Sequence, residues 1–240
     1  MANLIAVARR RQVRSLPLAW LAGLAAALMT GLFIQLAREM AEGETRAFDK
    51  AILHAMHAMQ ALRDSHPWAA SVLRDLSGLG STVVLTLCTT VTVGYLALVA
   101  ARRMAGRVAV AVITGAAGIS LLKAAFARLR PDAVFAEMVA PGLSFPSGHA
   151  GMSAIVFLTL GALLASTRRR RAERSYILAV AALLTLLVGL SRVALGVHWT
   201  TDVLAGWAYG GAWALLWLLP ARAWMRAHPA SAAAAHPAQP

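Results

Sequence analysis

Charge and cysteine are both scarce in this chain. Charged residues fill 14% of its 240 positions, against about 25% in an average soluble domain. Hydrophobic residues reach 59% and the mean hydropathy is +0.65, which excludes an ordinary soluble domain. Cys88 is the single cysteine and falls inside an apolar run, so no intrachain disulfide and no cysteine-based metal site can form. A metal-ligand pattern is missing as well. His54 and His57 have the spacing of a helix-face pair, yet no third ligand stands near them, and Asp132 and Glu137 belong to no ligand set. Acidic residues are few, 10 against 23 Lys plus Arg, giving a formal charge of +13 and a pI near 11.6.

Six apolar runs fill most of the remainder, at 17–37, 81–101, 108–126, 150–166, 176–195 and 203–219. Each approaches or reaches the roughly 20 residues that span a hydrocarbon core. The sequence therefore predicts an all-α, polytopic membrane protein: one six-helix domain over 17–226, a cytoplasmic segment at 1–16 and a disordered cytoplasmic tail at 227–240. The first run is longer than a signal-peptide core and no small-x-small cleavage site follows it.

An excess of positive charge invites a nucleic-acid partner, and the distribution argues against one. Arg9, Arg10, Arg11 and Arg14 precede the first run. Arg102, Arg103 and Arg107 separate the second from the third, Arg168 to Arg171 and Arg174 the fourth from the fifth, and Arg222 and Arg226 follow the sixth. These segments are assigned to the cytoplasm by the positive-inside rule. The long first loop instead balances Arg38, Arg46, Lys50, Arg63 and Arg74 against Glu39, Glu42, Glu44, Asp49, Asp64 and Asp75, and is assigned outside. Within it Phe48, Ile52, Met56, Met59 and Leu62 recur at helical spacing, predicting a short amphipathic interfacial helix that either rims the site or packs over the bundle. A second short piece, 68–76, follows Pro67.

Three segments on the expected outer side carry the chemistry. Lys123 precedes Arg130 by seven positions, which on a helix puts both on one face, able to grip one anion; Pro131 is expected to end that helix. Pro146, Ser147, Gly148 and His149 stand just before the fourth apolar run, so the backbone N–H groups of Ser147 and Gly148 can point at a phosphate. Ser191 and Arg192 are followed by His198 and Asp202, four apart. That spacing lets the carboxylate hold one imidazole nitrogen as N–H and leave the other free to attack. His149 is left for proton transfer.

In this order and spacing, these residues resemble the signature of the type 2 phosphatidic acid phosphatase family, membrane lipid phosphate phosphatases whose active site is shared with vanadium haloperoxidases. The signature runs from Lys123 to Asp202, and the apolar pattern on both sides fits. The resemblance implies that Lys123, Arg130, Ser147, Gly148 and Arg192 bind phosphate and that His198 attacks phosphorus to give a phosphohistidine. Asp202 would orient it, and His149 would protonate the leaving group and then activate water. It implies no metal and no cofactor. The expected partners are a lipid phosphate and the surrounding membrane lipids, with no nucleic acid and no oligomeric state legible.

Undecaprenyl diphosphate, phosphatidylglycerophosphate, phosphatidic acid and the 1-phosphate of lipid A are the family's candidate substrates, and the motifs do not choose among them. A lipid phosphotransferase using the same phosphohistidine is the neighbouring enzyme reading. Haloperoxidases are expected to be soluble, which the apolar runs oppose. A non-catalytic lipid-binding or transport protein would be expected to lose motif residues, and none is lost.

Overall fold

A computed structural model describes residues 16–60 and 65–227, with side chains placed for 20–60, 65–66, 68–217. The expected segments 1–16 and 227–240 fall almost wholly outside the described residues, as do Arg9 to Arg14, Leu62 and Arg63. Among those described, the structure is helical: α1 Leu16–Glu42, α2 Arg46–Ala58, α3 Pro67–Gly78, α4 Thr82–Leu98, α5 Arg102–Phe126, α6 Gly148–Ser166, α7 Arg171–Ala194 and α8 Thr200–Ala227, with a 3-10 turn at Ala133–Phe135.

Four helices are long and apolar enough to cross a bilayer, Trp20–Glu42, Arg102–Phe126, Gly148–Ser166 and Arg171–Ala194. Helices α3 and α4, bent by 45° at a short break, add a fifth if they count as one span. The chain is a multi-pass membrane protein. The sixth expected run, 203–219, lies on α8, which is outside this set among the described residues. Its length is spent on Gly, Ala, Thr and Trp because it faces protein rather than lipid: Val203, Ala205, Ala208, Ala212 and Ala214 are all buried.

Helix α8 is the axis of the bundle, packed chiefly on α6 and α1 and flanked by α5 and α7. Small residues let the backbones close up. A Cβ on Gly206 would sit 2.8 Å from the Ser147 carbonyl oxygen, and Gly115, Gly118 and Gly189 make room for Trp213, Tyr209 and Trp207. Those rings in turn place their polar atoms on carbonyls of the neighbouring helices: Trp213 Nε1 donates to Ala111 (2.9 Å), Tyr209 to Gly115 (3.2 Å) and Trp207 Nε1 to Thr185 (3.1 Å). Half-buried threonines of α4 satisfy themselves locally, Thr89 on the Leu85 carbonyl (2.7 Å) and Thr92 on that of Cys88 (2.8 Å). Outward, α1 shows Trp20, Leu21, Leu24, Leu28 and Ile34, as a lipid-facing helix should.

The first loop holds the expected short helix, α2, but its inner face differs from the predicted stripe. Asp49 and Leu53 are buried, with Ile52 and Met56 packed beside them on Ala150, Val193 and Val203, while Phe48 and Met59 are half exposed. Apolar periodicity passes over the polar Asp49, yet it is buried in the contact. This side of α2 covers the bundle.

Candidate active site

Helix α5 ends earlier than Pro131 suggested. It stops at Phe126, with Ala127 in the left-handed region (φ 47°) and its N–H on the Lys123 carbonyl. Lys123 is thus in the last helical turn while Arg130 belongs to the following loop, so the two do not share a helix face. They meet all the same, because both grip the segment 141–144. Lys123 Nζ donates to the carbonyls of Leu143 (2.6 Å) and Ser144 (3.3 Å); Arg130 donates to Gly142 (3.0 Å) and Pro141 (3.3 Å).

That segment leads into α6, whose N-cap is Ser147. Its hydroxyl accepts from Ala150 N at 3.5 Å. The N–H of Ser147, expected to face an anion, instead donates to the Asp202 carbonyl at 2.9 Å and ties the starts of α6 and α8 together. Gly148 lies against Lys123, 3.7 Å from its Cε if a Cβ is placed there. His149, in the first turn, packs against Gly80 and is within the fields of Arg192, His198, Arg130 and Lys123.

His198 is delivered by a tight turn after α7. Gly196 has φ +67°, and any Cβ there would run into the carbonyl of Phe135, so the position requires glycine on both counts. His198 therefore lies two residues before α8 begins, and Asp202 lies in the helix's first turn, rather than both on one helical face. The pair forms nevertheless: His198 Nδ1 is 3.2 Å from Asp202 Oδ2. On the opposite edge, Arg130 Nη1 is 2.9 Å from Nε2 and 2.7 Å from the Val197 carbonyl. An arginine can only donate, so the partners select the tautomer with hydrogen on Nδ1 and a lone pair on Nε2.

His198 and Asp202 are both sealed from solvent. Burial pushes the His198 imidazole down to about 4; Asp202 opposes this through its hydrogen bond and charge, and Arg130 and Arg192 reinforce it. The ring is neutral at physiological pH. Burial also lowers the Arg130 guanidinium from its ordinary value, with Asp202 acting in the other direction.

Arg192, in the last turn of α7 and 2% exposed, donates from Nη1 to Ser77 Oγ at 2.6 Å and reaches Met138 Sδ at 3.4 Å. Its Nε is buried without a hydrogen-bond partner. A buried unpaired guanidinium N–H is costly and marks a place built for an acceptor.

All eight residues singled out in the sequence, Lys123, Arg130, Ser147, Gly148, His149, Arg192, His198 and Asp202, thus gather at one end of α5 to α8. Three further residues join them unannounced. Ser144 Oγ hydrogen-bonds Asp202 Oδ2 and lies 3.4 Å from His198 Nδ1. Arg128 Nη1 donates to Asp202 Oδ1 at 2.6 Å, and Asp49, on α2, pairs with Arg128 at 2.7 Å. His54 and His57 do not come near a ligand set; each meets the Phe135 ring edge-on. Among the described residues, no three His, Cys, Asp or Glu gather as a metal-binding group.

Comparison with known proteins places this arrangement. Phosphatidylglycerophosphatase B of Bacillus subtilis (strain 168) is 38% identical over 92 residues, a stretch covering 38% of this chain and 44% of that relative, under half its length. A crystal structure described as the first transmembrane PAP2 type phosphatidylglycerolphosphate phosphatase from Bacillus subtilis matches with a TM-score of 0.72 at 25% identity, over 82% of this chain and 95% of that one. The family model of the PAP2 superfamily matches residues 105–226, the stretch that holds all eight motif residues, and the chain belongs to that superfamily.

Proposed function

We propose that the protein is a membrane lipid phosphate phosphatase that works through a phosphohistidine on His198. The observation that carries the reading is the His198 ring, held neutral with its Nε2 lone pair directed at Arg130 and its Nδ1–H directed at Asp202. An imidazole in that state is a nucleophile, and the cations around it are arranged for an anion rather than for one another.

Lys123, Arg130 and Arg192 surround the phosphoryl oxygens, and Arg192 Nε gains the acceptor it otherwise lacks. With the Ser147 N–H engaged, the N–H groups of Gly148 and His149 at the start of α6 supply the backbone donors. As phosphate enters, Arg130 Nη1 transfers from Nε2 to a phosphoryl oxygen and frees the nucleophile. Nε2 then forms the P–N bond while the P–O bond to the lipid breaks, and His149 gives its proton to the departing oxygen. Water attacks the phosphohistidine next, losing its proton to His149 as the P–N bond breaks and inorganic phosphate leaves.

Among the candidate substrates, phosphatidylglycerophosphate is favoured, since both relatives are named for that activity. We read α8 as the sixth span, both termini as cytoplasmic and the site as facing outward. The basic segments around 102–107 and 168–174 lie at the ends of the helices opposite the site, which supports that orientation. Phosphate release by the purified protein, assayed with and without EDTA over a panel of lipid phosphates, tests the function. Activity that His198→Ala abolishes, together with acid-labile, alkali-stable label on the wild-type protein, is expected. No release from any lipid by folded wild-type protein overturns the reading, and transfer of the label to a second lipid would make it a phosphotransferase.

A further inference from the structure

We propose that Arg128 and Asp49 are positioning residues for the His198 and Asp202 pair, so that helix α2 of the first loop is part of the catalytic apparatus. The inference rests on the phosphatase reading above. Its basis is an alternating row of charges, Asp49, Arg128, Asp202, that ends at the nucleophile. Arg128 divides its fork between the two carboxylates, Nη2 to Asp49 Oδ2 at 2.7 Å and Nη1 to Asp202 Oδ1 at 2.6 Å. Asp49 also accepts from the N–H of Thr201 (2.9 Å) and from its hydroxyl (2.6 Å), so it occupies the start of α8 next to Asp202. The Arg128 guanidinium lies over the Trp199 ring, 5.4 Å from its centre.

Both carboxylates are sealed, with side-chain exposures of 1% and 0%, and Arg128 shows 13%. Such buried ionic groups are weak contributors to stability compared with apolar replacements, so their value lies in fixing a geometry. Here the geometry is the orientation of Asp202. With Oδ1 held by the planar fork, the carboxylate cannot rotate, and Oδ2 stays aimed at His198 Nδ1, Ser144 and Trp199 N.

The row also has an electrostatic signature. His198 is faced by Asp202 from α8, Arg130 and Ser144 from the loop, Arg192 from α7 and His149 from α6, with Lys123 of α5 beyond. Removing the Arg128 charge leaves Asp202 uncompensated and favours imidazolium, so His198 keeps its proton to higher pH. Removing the Asp49 charge gives Arg128 wholly to Asp202 and favours the neutral ring. Opposite shifts report the charges of the row, and Arg128→Lys, which keeps the charge and loses the fork, separates positioning from charge.

The test is a histidine-ring NMR titration of the full-length protein in detergent, with the His198 signal assigned by its loss in His198→Gln. Arg128→Gln should raise the ring's midpoint and Asp49→Asn should lower it, each by at least about 0.3 units. In phosphate release, Arg128→Gln should lower kcat by roughly 100-fold with KM within about threefold, the pattern of lost orientation rather than lost binding. Arg128→Lys restores charge but no fork, so its titration should return toward wild type while kcat stays down roughly tenfold. Titrations that move together or stay still, or a kcat untouched by Arg128→Lys, overturn the proposal. If Arg128→Gln does not fold, the Lys and Asn variants decide it. Wild-type protein that releases no phosphate overturns the functional reading instead, and the titrations remain readable.

Discussion

Replacing Asp202 by asparagine separates what its shape does from what its charge does. Oδ2 receives three donors, His198 Nδ1 at 3.2 Å, Trp199 N at 3.0 Å and Ser144 Oγ, whereas Oδ1 receives Arg128 Nη1 at 2.6 Å. An amide that keeps its oxygen toward His198 retains three acceptor contacts and sets its NH2 against one donor, Arg128. The flipped amide satisfies Arg128 and opposes the His198 and Trp199 donors. Counting selects the first orientation, so the His198 tautomer survives and what is missing is the negative charge beside a ring that would become cationic in the proposed phosphohistidine.

A full charge at about 4 Å is worth about 4 kcal/mol at an effective dielectric of 20. Arg128 already neutralises part of the Asp202 charge, which reduces the loss to roughly 2–3.5 kcal/mol, a fall in kcat of about 30- to 400-fold. Inverting the tautomer would cost closer to 10⁴-fold. The assay is kcat for phosphate release with a circular-dichroism melt of the same sample. A fall smaller than about fivefold in folded protein would refute the role of the charge, and a 10⁴-fold fall would refute the orientation argument.

Gly196→Ala forces a left-handed backbone on a residue with a Cβ and drives that Cβ into the Phe135 carbonyl, so kcat should fall by about 100-fold as His198 is displaced; an unchanged kcat would contradict the tight-turn argument. Gly206→Val inserts bulk 2.8 Å from the Ser147 carbonyl and should separate α8 from α6, lowering the melting temperature and activity together, whereas the melt alone would change if the contact were remote from the site. His198 is held near 4 in the folded protein against about 6.5 when unfolded. Between those values only the unfolded chain takes up its proton, so the ring's contribution is intact above pH 6.5 and stability is lost as pH falls toward 4. Melts at pH 7 and pH 5 should therefore differ more in wild type than in His198→Gln.

How much of this was legible beforehand follows from how each residue signals. Apolar runs locate the helices because lipid demands length and hydropathy; α8 weakened that signal by facing protein, where small residues serve better. Lys123, Arg130, His149, Arg192, His198 and Asp202 stand out because charged and imidazole groups are costly at membrane depth. Their assembly was readable, but the backbone carrying them was not. Spacing treated Lys123 to Arg130 and His198 to Asp202 as helical, while the chain leaves α5 at Ala127 and enters α8 only at Thr200. Asp49 and Arg128 are 79 positions apart; Asp49 reads alone as one of the balanced charges of the first loop, and Arg128 belongs to no motif. Only a buried contact between α2 and the segment after α5 gives them meaning, and no periodicity encodes that.

The stitch from Ser147 N to the Asp202 carbonyl brings two helix starts to one place, and the two are used differently. Each start carries about half a positive charge from its peptide dipoles. At α8 that charge is answered from within, by Asp49 on Thr201 N and Asp202 on Trp199 N. At α6 the answer within the chain is a neutral hydroxyl, Ser147. The protein thus keeps its own anions at the helix that follows the proposed nucleophile, and the proposed function leaves the neighbouring helix to the anion of the substrate. A carboxylate introduced at Ser147 would end that division of labour, acting as a tethered inhibitor.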